Sequence, residues 1–166
     1  MDKVTIDKDI DKDKLNGYSI GINLFNWIIN NIPLSSTILE LGSGAGSHEL
    51  SKYFSVYSIE QNRDYVNLYP DVNYIYAPIS KATGWYEESC ISLLPKDYQL
   101  LILDGPAGFK RSNFIQYSKH FNLNVPIIID DVHRAPESNF AMYMSSQYNK
   151  RTIYMPEEDK ASVILW

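Results

Sequence analysis

Little in this chain points toward a membrane, a disulfide framework or a polyanion. It carries a single cysteine, Cys90, so no intramolecular disulfide can form, which suits a reducing compartment. No apolar run reaches the roughly 20 residues needed to span a bilayer, and no secretory leader is apparent. The expectation is a cytoplasmic protein without a membrane span. Basic residues are scarce: 15 Lys and Arg stand against 20 Asp and Glu, and the formal net charge is −5. With no basic stripe to neutralise a phosphate backbone, general nucleic-acid binding is not expected. At 166 residues the length predicts one domain with a real core but no elaborate substrate domain. Loops, a partner protein or a second copy of the chain must then help recognise a substrate. Internal repeats and a domain linker are absent.

What is present is concentrated at one place. Thr37-Ile-Leu-Glu-Leu-Gly-Ser-Gly-Ala-Gly46 is an apolar run that ends in a glycine turn. Such a run suits a buried parallel strand, and Gly42, Gly44 and Gly46 let the backbone turn sharply and approach a ligand. Ser47 to Phe54 can then form a helix whose free N–H groups face the same crevice. Val56-Tyr-Ser-Ile-Glu60 follows as a second strand that ends in a carboxylate, with Gln61 beside it. A carboxylate at that place can accept hydrogen bonds from two ribose hydroxyls, so the plan favours an adenosine-type ligand.

The details of the turn select among such ligands. A dinucleotide fingerprint reads G-x-G-x-x-G, whereas here the third glycine comes one residue early and Ser47 takes its place. Glu40, two residues before the first glycine, would repel a pyrophosphate but attract a ligand bearing an ammonium group. The pattern Glu40-Leu-Gly42-Ser43-Gly44-Ala-Gly46, with Glu60 to follow, resembles motif I and the next acidic position of the class I S-adenosylmethionine (SAM)-dependent methyltransferases, and the likeness extends over most of the chain. The resemblance implies SAM as cofactor, bound by Glu40, Gly42, Ser43, Gly44, Gly46, Glu60 and Gln61. It also implies an adenine wall at Ala77, Pro78 and Ile79, after the third strand.

The remaining pattern agrees with such a fold. Met1 to Asn16 is rich in Asp and Lys and offers little to bury, which predicts a mobile or loosely docked arm before a single domain over 17–166. Ile20, Leu24, Trp27, Ile28 and Ile32 recur at helical spacing and predict a leading amphipathic helix that ends before Pro33. Strands are expected over 37–41, 56–60, 73–77, 98–103, 125–129, 151–155 and 162–166. Helical segments between most of the first five indicate a parallel sheet covered on both faces. The last two flank Pro156-Glu-Glu-Asp159 and predict an antiparallel hairpin. The fold class is therefore α/β, a Rossmann-like, mostly parallel seven-stranded sheet.

A second constellation is a set of acids at strand ends. Leu100-Leu-Ile-Leu-Asp104 and Ile127-Ile-Ile-Asp130-Asp131 each run from an apolar strand into carboxylates. Ligands of open α/β sheets bind at the carboxyl ends of strands, so these acids can converge beside the cofactor, and three oxygen donors would suit Mg²⁺ or another divalent cation. The arrangement resembles the metal site of catechol-type O-methyltransferases, in which the metal holds a substrate hydroxyl and helps ionise it. Those enzymes place a lysine shortly after the first acid, whereas Pro106, Ala107 and Gly108 precede Lys110 here. The stretches from Asp104 to Arg111 and from Ile129 to Arg134 look more like small bacterial methyltransferases, some linked to glycan chemistry.

Catalytic candidates are Asp104, Asp131 and His133, the last as a base of near-neutral pKa. Equally, Asp104 can bind the cofactor or cap a turn, while Asp130 and Asp131 cap a helix starting near Ala135. Arg111 and Arg134 can grip an anionic substrate group, or pair with acids of the protein. Trp85 and Tyr86 can floor an acceptor by stacking, or fill the core. His48 sits either at the cofactor edge or on a solvated helix. The expected function is SAM-dependent methyl transfer to a hydroxyl of a small molecule or glycan, with or without a metal. A non-catalytic SAM-binding partner subunit and a nicotinamide-dependent oxidoreductase are the alternatives.

Overall fold

A computed structural model describes residues 19–106 and 108–166. The arm expected over Met1 to Asn16 lies outside the described residues. Seven strands form one sheet: β1 (Thr37–Leu41), β2 (Ser55–Glu60), β3 (Asn73–Tyr76), β4 (Leu100–Leu103), β5 (Ile127–Ile129), β6 (Thr152–Pro156) and β7 (Ala161–Leu165), in the order β3-β2-β1-β4-β5-β7-β6. The first five pair in parallel, while β7 runs antiparallel between β5 and β6. This is the expected mostly parallel sheet with a C-terminal antiparallel hairpin.

Strand composition explains why the sheet is covered on both faces. In β4, every side chain of Leu100-Leu-Ile-Leu103 is fully buried, and β5 is a run of three buried isoleucines. Alternate residues divide between two cores. Ile38, Val56, Leu100, Ile102 and Ile128 face helix α1 (Ile22–Asn31) and helix α2 (Ala45–Ser51). Leu39, Leu41, Leu101, Leu103 and Ile129 face the opposite layer, where Phe114 begins the short helix α4 (Phe114–Tyr117) and Phe140 and Met144 belong to helix α5 (Ala135–Gln147). The one-turn helix α3 (Glu88–Ile91) adds Ile91 to that layer. Each Leu or Ile so buried contributes on the order of 1.5–3 kcal/mol.

Boundaries shift where local chemistry intervenes. The fifth strand starts at Ile127 rather than Val125, because Pro126 has no N–H to give the ladder, although its carbonyl accepts from Leu101 N–H. The helix after the glycine turn starts at Ala45, two residues ahead of expectation, and takes Gly46 into its first turn. No helix joins β2 to β3; that connection is a series of turns over 62–72.

The N-terminus of α1 is closed from far away in sequence. Gly21, at the N-cap, has no side chain to satisfy the first amides, and Glu157 from the β6–β7 turn supplies a carboxylate instead. Its Oε1 accepts from Asn23 N–H at 2.6 Å and from Leu24 N–H at 3.4 Å, while Asn23 Nδ2 donates to Oε2 at 3.2 Å and to the Pro156 carbonyl at 3.0 Å. A Cβ at Gly21 would collide with the Glu157 side chain, so the missing cap and the remote cap are one device. Glu157→Ala is expected to lower stability by about 1 kcal/mol and Gly21→Ala by a similar amount. In chemical denaturation the double variant should lose no more than the larger single loss; additive losses would show that the two residues act separately.

Candidate functional site

A crevice of about 460 Å³ opens along the carboxyl ends of β1, β2, β4 and β5. It is lined on one side by Gly42 to Ala45 and Glu60 to Asn62, and on the other by Asp104, Arg111, Asp130, Asp131, Arg134 and Lys160. The glycine turn and the acids at strand ends, read separately from the sequence, therefore share one site.

The two halves are joined by backbone packed against backbone. Gly42 has φ +94°, and a Cβ there would lie 2.9 Å from Gly105 N; a Cβ on Gly105 would lie 2.9 Å from Gly42 Cα. The Leu41 carbonyl accepts from both Asp104 N–H at 2.9 Å and Gly105 N–H at 2.5 Å. Gly42 is thus required both by its left-handed conformation and by this close approach.

The turn is tied down by carboxylates. Ser43 N–H donates to Glu60 Oε2 at 3.0 Å, and Asn62 N–H donates to Oε1 at 2.6 Å. Gly44 N–H donates to Ser47 Oγ at 3.0 Å, and the Ser47 hydroxyl donates to Glu40 Oε2 at 2.5 Å. Ser58 Oγ lies 2.9 Å from the same Glu40 oxygen and 2.8 Å from the Gly42 carbonyl. Burial pushes the Glu40 carboxyl up to about 8 despite these hydroxyls, and burial also raises Glu60 against its backbone donors.

Across the crevice, Arg111 is only 3% exposed and spans the ends of β4 and β5. Its Nη1 donates to the Asp130 carbonyl at 2.7 Å. Its Nη2 donates to the Asp104 carbonyl and lies 3.3 Å from Asp104 Oδ1 and 3.4 Å from Asp131 Oδ2. Arg134 Nη1 reaches the same Asp131 oxygen at 3.0 Å. The Asp130 carboxylate is instead engaged by Ser162 Oγ of β7 at 2.5 Å. Burial and the neighbouring Asp130 push the Asp104 carboxyl up to about 7, against the pull of Arg111.

Several expected roles are corrected. Glu40 is buried beneath the turn and does not line the crevice; its contact is with Ser47 of the turn. At Gly46 a Cβ would meet Ile20 and Ser19, so this glycine admits the chain before α1 rather than a ligand. Ala77 is fully buried, and neither it nor the half-buried Pro78 and Ile79 lines the crevice. Trp85 and Tyr86 are sealed in the core, edge to face at 5.1 Å, so they form no acceptor floor. His133 is exposed and does not line the crevice. Helix capping by Asp130 or Asp131 is not seen either, since α5 begins from Arg134 without a side-chain cap. Arg111 grips acids of the protein, not an open substrate position. As for a metal, no group of three or more His, Cys, Asp and Glu side chains among the described residues has the placement to hold an ion, and the carboxylates of Asp104 and Asp131 converge on a guanidinium. The tri-acid donor set does not fit a divalent cation.

Other lining residues were not anticipated. Ser19, Tyr65, Leu68, Tyr69 and Lys160 come from the segment before α1, the β2–β3 turns and the hairpin turn, where no periodicity marks them. The ring of Tyr69 also stacks on His48 at 4.6 Å, which places that histidine against the loop. The hydroxyl of Ser19 is buried and has no partner among the described residues. No helix among them is long and apolar enough to cross a membrane.

No protein-family model matches this chain, and neither does any curated protein sequence. Solved structures do. A provisionally named O-methyltransferase from Klebsiella pneumoniae is similar with a TM-score of 0.65 at 12% identity, over 98% of this chain and 92% of that one. A provisionally named caffeoyl-CoA O-methyltransferase from Staphylococcus aureus is similar with a TM-score of 0.62 at 14% identity, over 86% of this chain and 80% of that one. A Methanobacterium thermoautotrophicum protein named precorrin 8w decarboxylase has a TM-score of 0.60 at 12% identity, over 87% and 89%. The fold is that of the class I SAM-dependent methyltransferases, a Rossmann-like sheet with a C-terminal antiparallel hairpin.

The raised carboxyls predict pH-dependent binding of a cationic ligand. Glu40 and Asp104 hold protons up to about 8 and about 7, so a positively charged ligand, which favours their ionised forms, must release protons below those values. Affinity for such a ligand should rise between pH 6 and 9, by at most about tenfold per pH unit for each linked carboxyl. The free protein should show the opposite trend. Its folded-state carboxyls bind protons that the unfolded chain has already lost, so their contribution to stability is full below about pH 4 and is lost as pH rises through 7 to 8. Calorimetric titrations and thermal melts across that range check both; a pH-independent affinity would separate these groups from the ligand.

Proposed function

We propose that the crevice binds SAM and that the protein transfers its methyl group to a hydroxyl of a small acceptor. The observation that carries this reading is the state of the glycine turn. Ser43 N–H and Gly44 N–H, which in a dinucleotide site would meet a pyrophosphate, are already donated to Glu60 and to Ser47. Carboxylates stand behind and beside them at Glu40, Glu60 and Asp104. Such a turn disfavours a phosphate and suits a cofactor that carries positive charge. An acid at the end of β2, with both oxygens fixed by backbone amides, retains lone pairs for ribose hydroxyls. Gln61, Asn62, Tyr65 and Leu68 continue the wall beyond it and would bound the adenine end, and the unpartnered Ser19 hydroxyl supplies a further polar contact.

When bound, the cofactor supplies an electrophilic methyl group on a sulfonium centre. The chain has to align an acceptor oxygen and remove its proton. Asp104 lies in the crevice with its carboxyl pushed up to about 7, near the value suited to taking a proton at neutral pH. Asp131, held by Arg111 and Arg134, orients the acceptor beside it. Arg134 and Lys160 line the same end and suit an acceptor with oxygen-rich or anionic groups. The structural neighbours named as O-methyltransferases support a hydroxyl acceptor, although a relative named as a decarboxylase shares the fold.

Titration calorimetry with SAM, S-adenosylhomocysteine and NAD tests the reading. Saturable binding of the first two without NAD is expected; binding of NAD alone would overturn it. Glu60→Ala should weaken SAM binding by about 1–3 kcal/mol, with the fold checked by circular dichroism, through loss of charge-assisted hydrogen bonds. Unchanged affinity would place the ribose elsewhere.

A further inference from the structure

We infer that Arg111 occupies the position of a divalent cation in this site: its guanidinium, fixed between the ends of β4 and β5, neutralises Asp104 and Asp131 and keeps a metal ion from binding there. The catalytic meaning of this arrangement rests on the methyl-transfer reading, but the charge arrangement does not.

A Mg²⁺ or Mn²⁺ site made from carboxylates needs their oxygens to converge on one point at roughly 2.0–2.2 Å, with room for water to complete the shell. In this crevice the oxygens that face each other, Asp104 Oδ1 and Asp131 Oδ2, lie at hydrogen-bond range of one nitrogen, Arg111 Nη2. The third acid has turned away, its carboxylate taken by Ser162 of the neighbouring strand. The arginine cannot readily leave. Both Nη atoms are also bonded to main-chain carbonyls, those of Asp104 and Asp130, so the guanidinium laces two strand ends together as well as their side chains. It is almost completely buried, and its planar fork suits carboxylates and carbonyls together. An incoming dication would meet that fixed charge first.

The backbone is built for this contact. Asp131 adopts a left-handed conformation with φ +62°, which aspartate tolerates better than most residues and which its partners here hold in place. These are Arg111 and Arg134, each in an ion pair with it. Arg111 is therefore a positioning residue. It sets the orientation of the two carboxylates that face an acceptor, a task that a metal would otherwise perform while also binding the acceptor oxygen. Deprotonation of an acceptor then falls to a carboxyl of the chain itself.

Mn²⁺ binding to the full chain, followed by electron paramagnetic resonance with and without SAM, tests the inference. The wild type should show no saturable Mn²⁺ binding. Arg111→Met, which keeps volume and removes charge, should gain a site that binds Mn²⁺ about tenfold or more tightly than any residual binding by the wild type, and Arg111→Lys, which keeps charge, should not. Saturable binding by the wild type that Asp131→Asn abolishes would overturn the inference, as would an Arg111→Met protein that folds and gains no site. Should Arg111→Met not fold, the wild-type and Asp131→Asn titrations decide alone: wild-type binding that Asp131→Asn abolishes overturns the inference, and no such Asp131-dependent binding supports it. Calorimetric SAM titrations of the same samples report separately on the cofactor, so a protein that binds no SAM yet shows the expected Mn²⁺ pattern would refute the proposed function and leave the role of Arg111 standing.

Discussion

The crevice depends on two glycines that touch. Gly42 follows β1 and Gly105 follows β4, and their backbones lie so close that a methyl group on either would strike the other. Because β1 and β4 are neighbours in register, this contact brings the first turn and the first acid to the same level of the sheet. The Leu41 carbonyl, accepting two amides from the β4 end, fixes the match. Glu60, Ser43 and the turn stand on one side of that seam, and Asp104, Arg111 and Asp131 on the other. A wider seam would leave two half-sites, each with a charge pattern that makes no sense alone.

Charge across the seam is distributed unevenly. The acid side has its cations built in, with Arg111 and Arg134 on Asp104 and Asp131. Among the described residues the turn side shows no ion pair: Glu40 and Glu60 are satisfied by hydroxyls and amides, which hold a carboxylate without neutralising it. Burial raises both acids, and an arriving positive charge would favour their ionised forms. The free protein is therefore acidic without a cation on one side and supplied with cations on the other, an asymmetry on which the proposed assignment of cofactor and acceptor ends rests.

Much of this was legible in the sequence because it is local. An apolar run, a glycine turn and a strand ending in Glu60 span few residues, and each step constrains the next. The runs into Asp104 and into Asp130-Asp131 were readable for the same reason, and the sheet order then had to place their ends together. Direction was harder than position. Nothing in Lys110-Arg111 says which side chain turns inward, since that depends on the 3-10 helix Gly108–Asn113 that follows β4. Trp85 and Tyr86 have the chemistry of a binding platform and of a core alike, and only packing against Phe114 and Tyr117 decided for the core. Lys160 and Ser19 escaped notice because each enters from a segment distant in sequence. Gly46 was noticed for the wrong reason: its missing side chain makes room for Ile20, not for a ligand.

The strand order carries a kinetic consequence. β7 inserts between β5 and β6, so the outer edge of β5 remains unpaired until residues 161–165 have been made, and β6 has no partner to add to before then. During synthesis the nascent chain would expose the three isoleucines of β5 as a sticky rim after the rest of the parallel sheet can already assemble. Glu157 adds to this delay, because the cap of α1 arrives only with the late hairpin. Completion of the sheet is thus a closing event at β7, and the interval before it is when the edge of β5 is most exposed to misassociation.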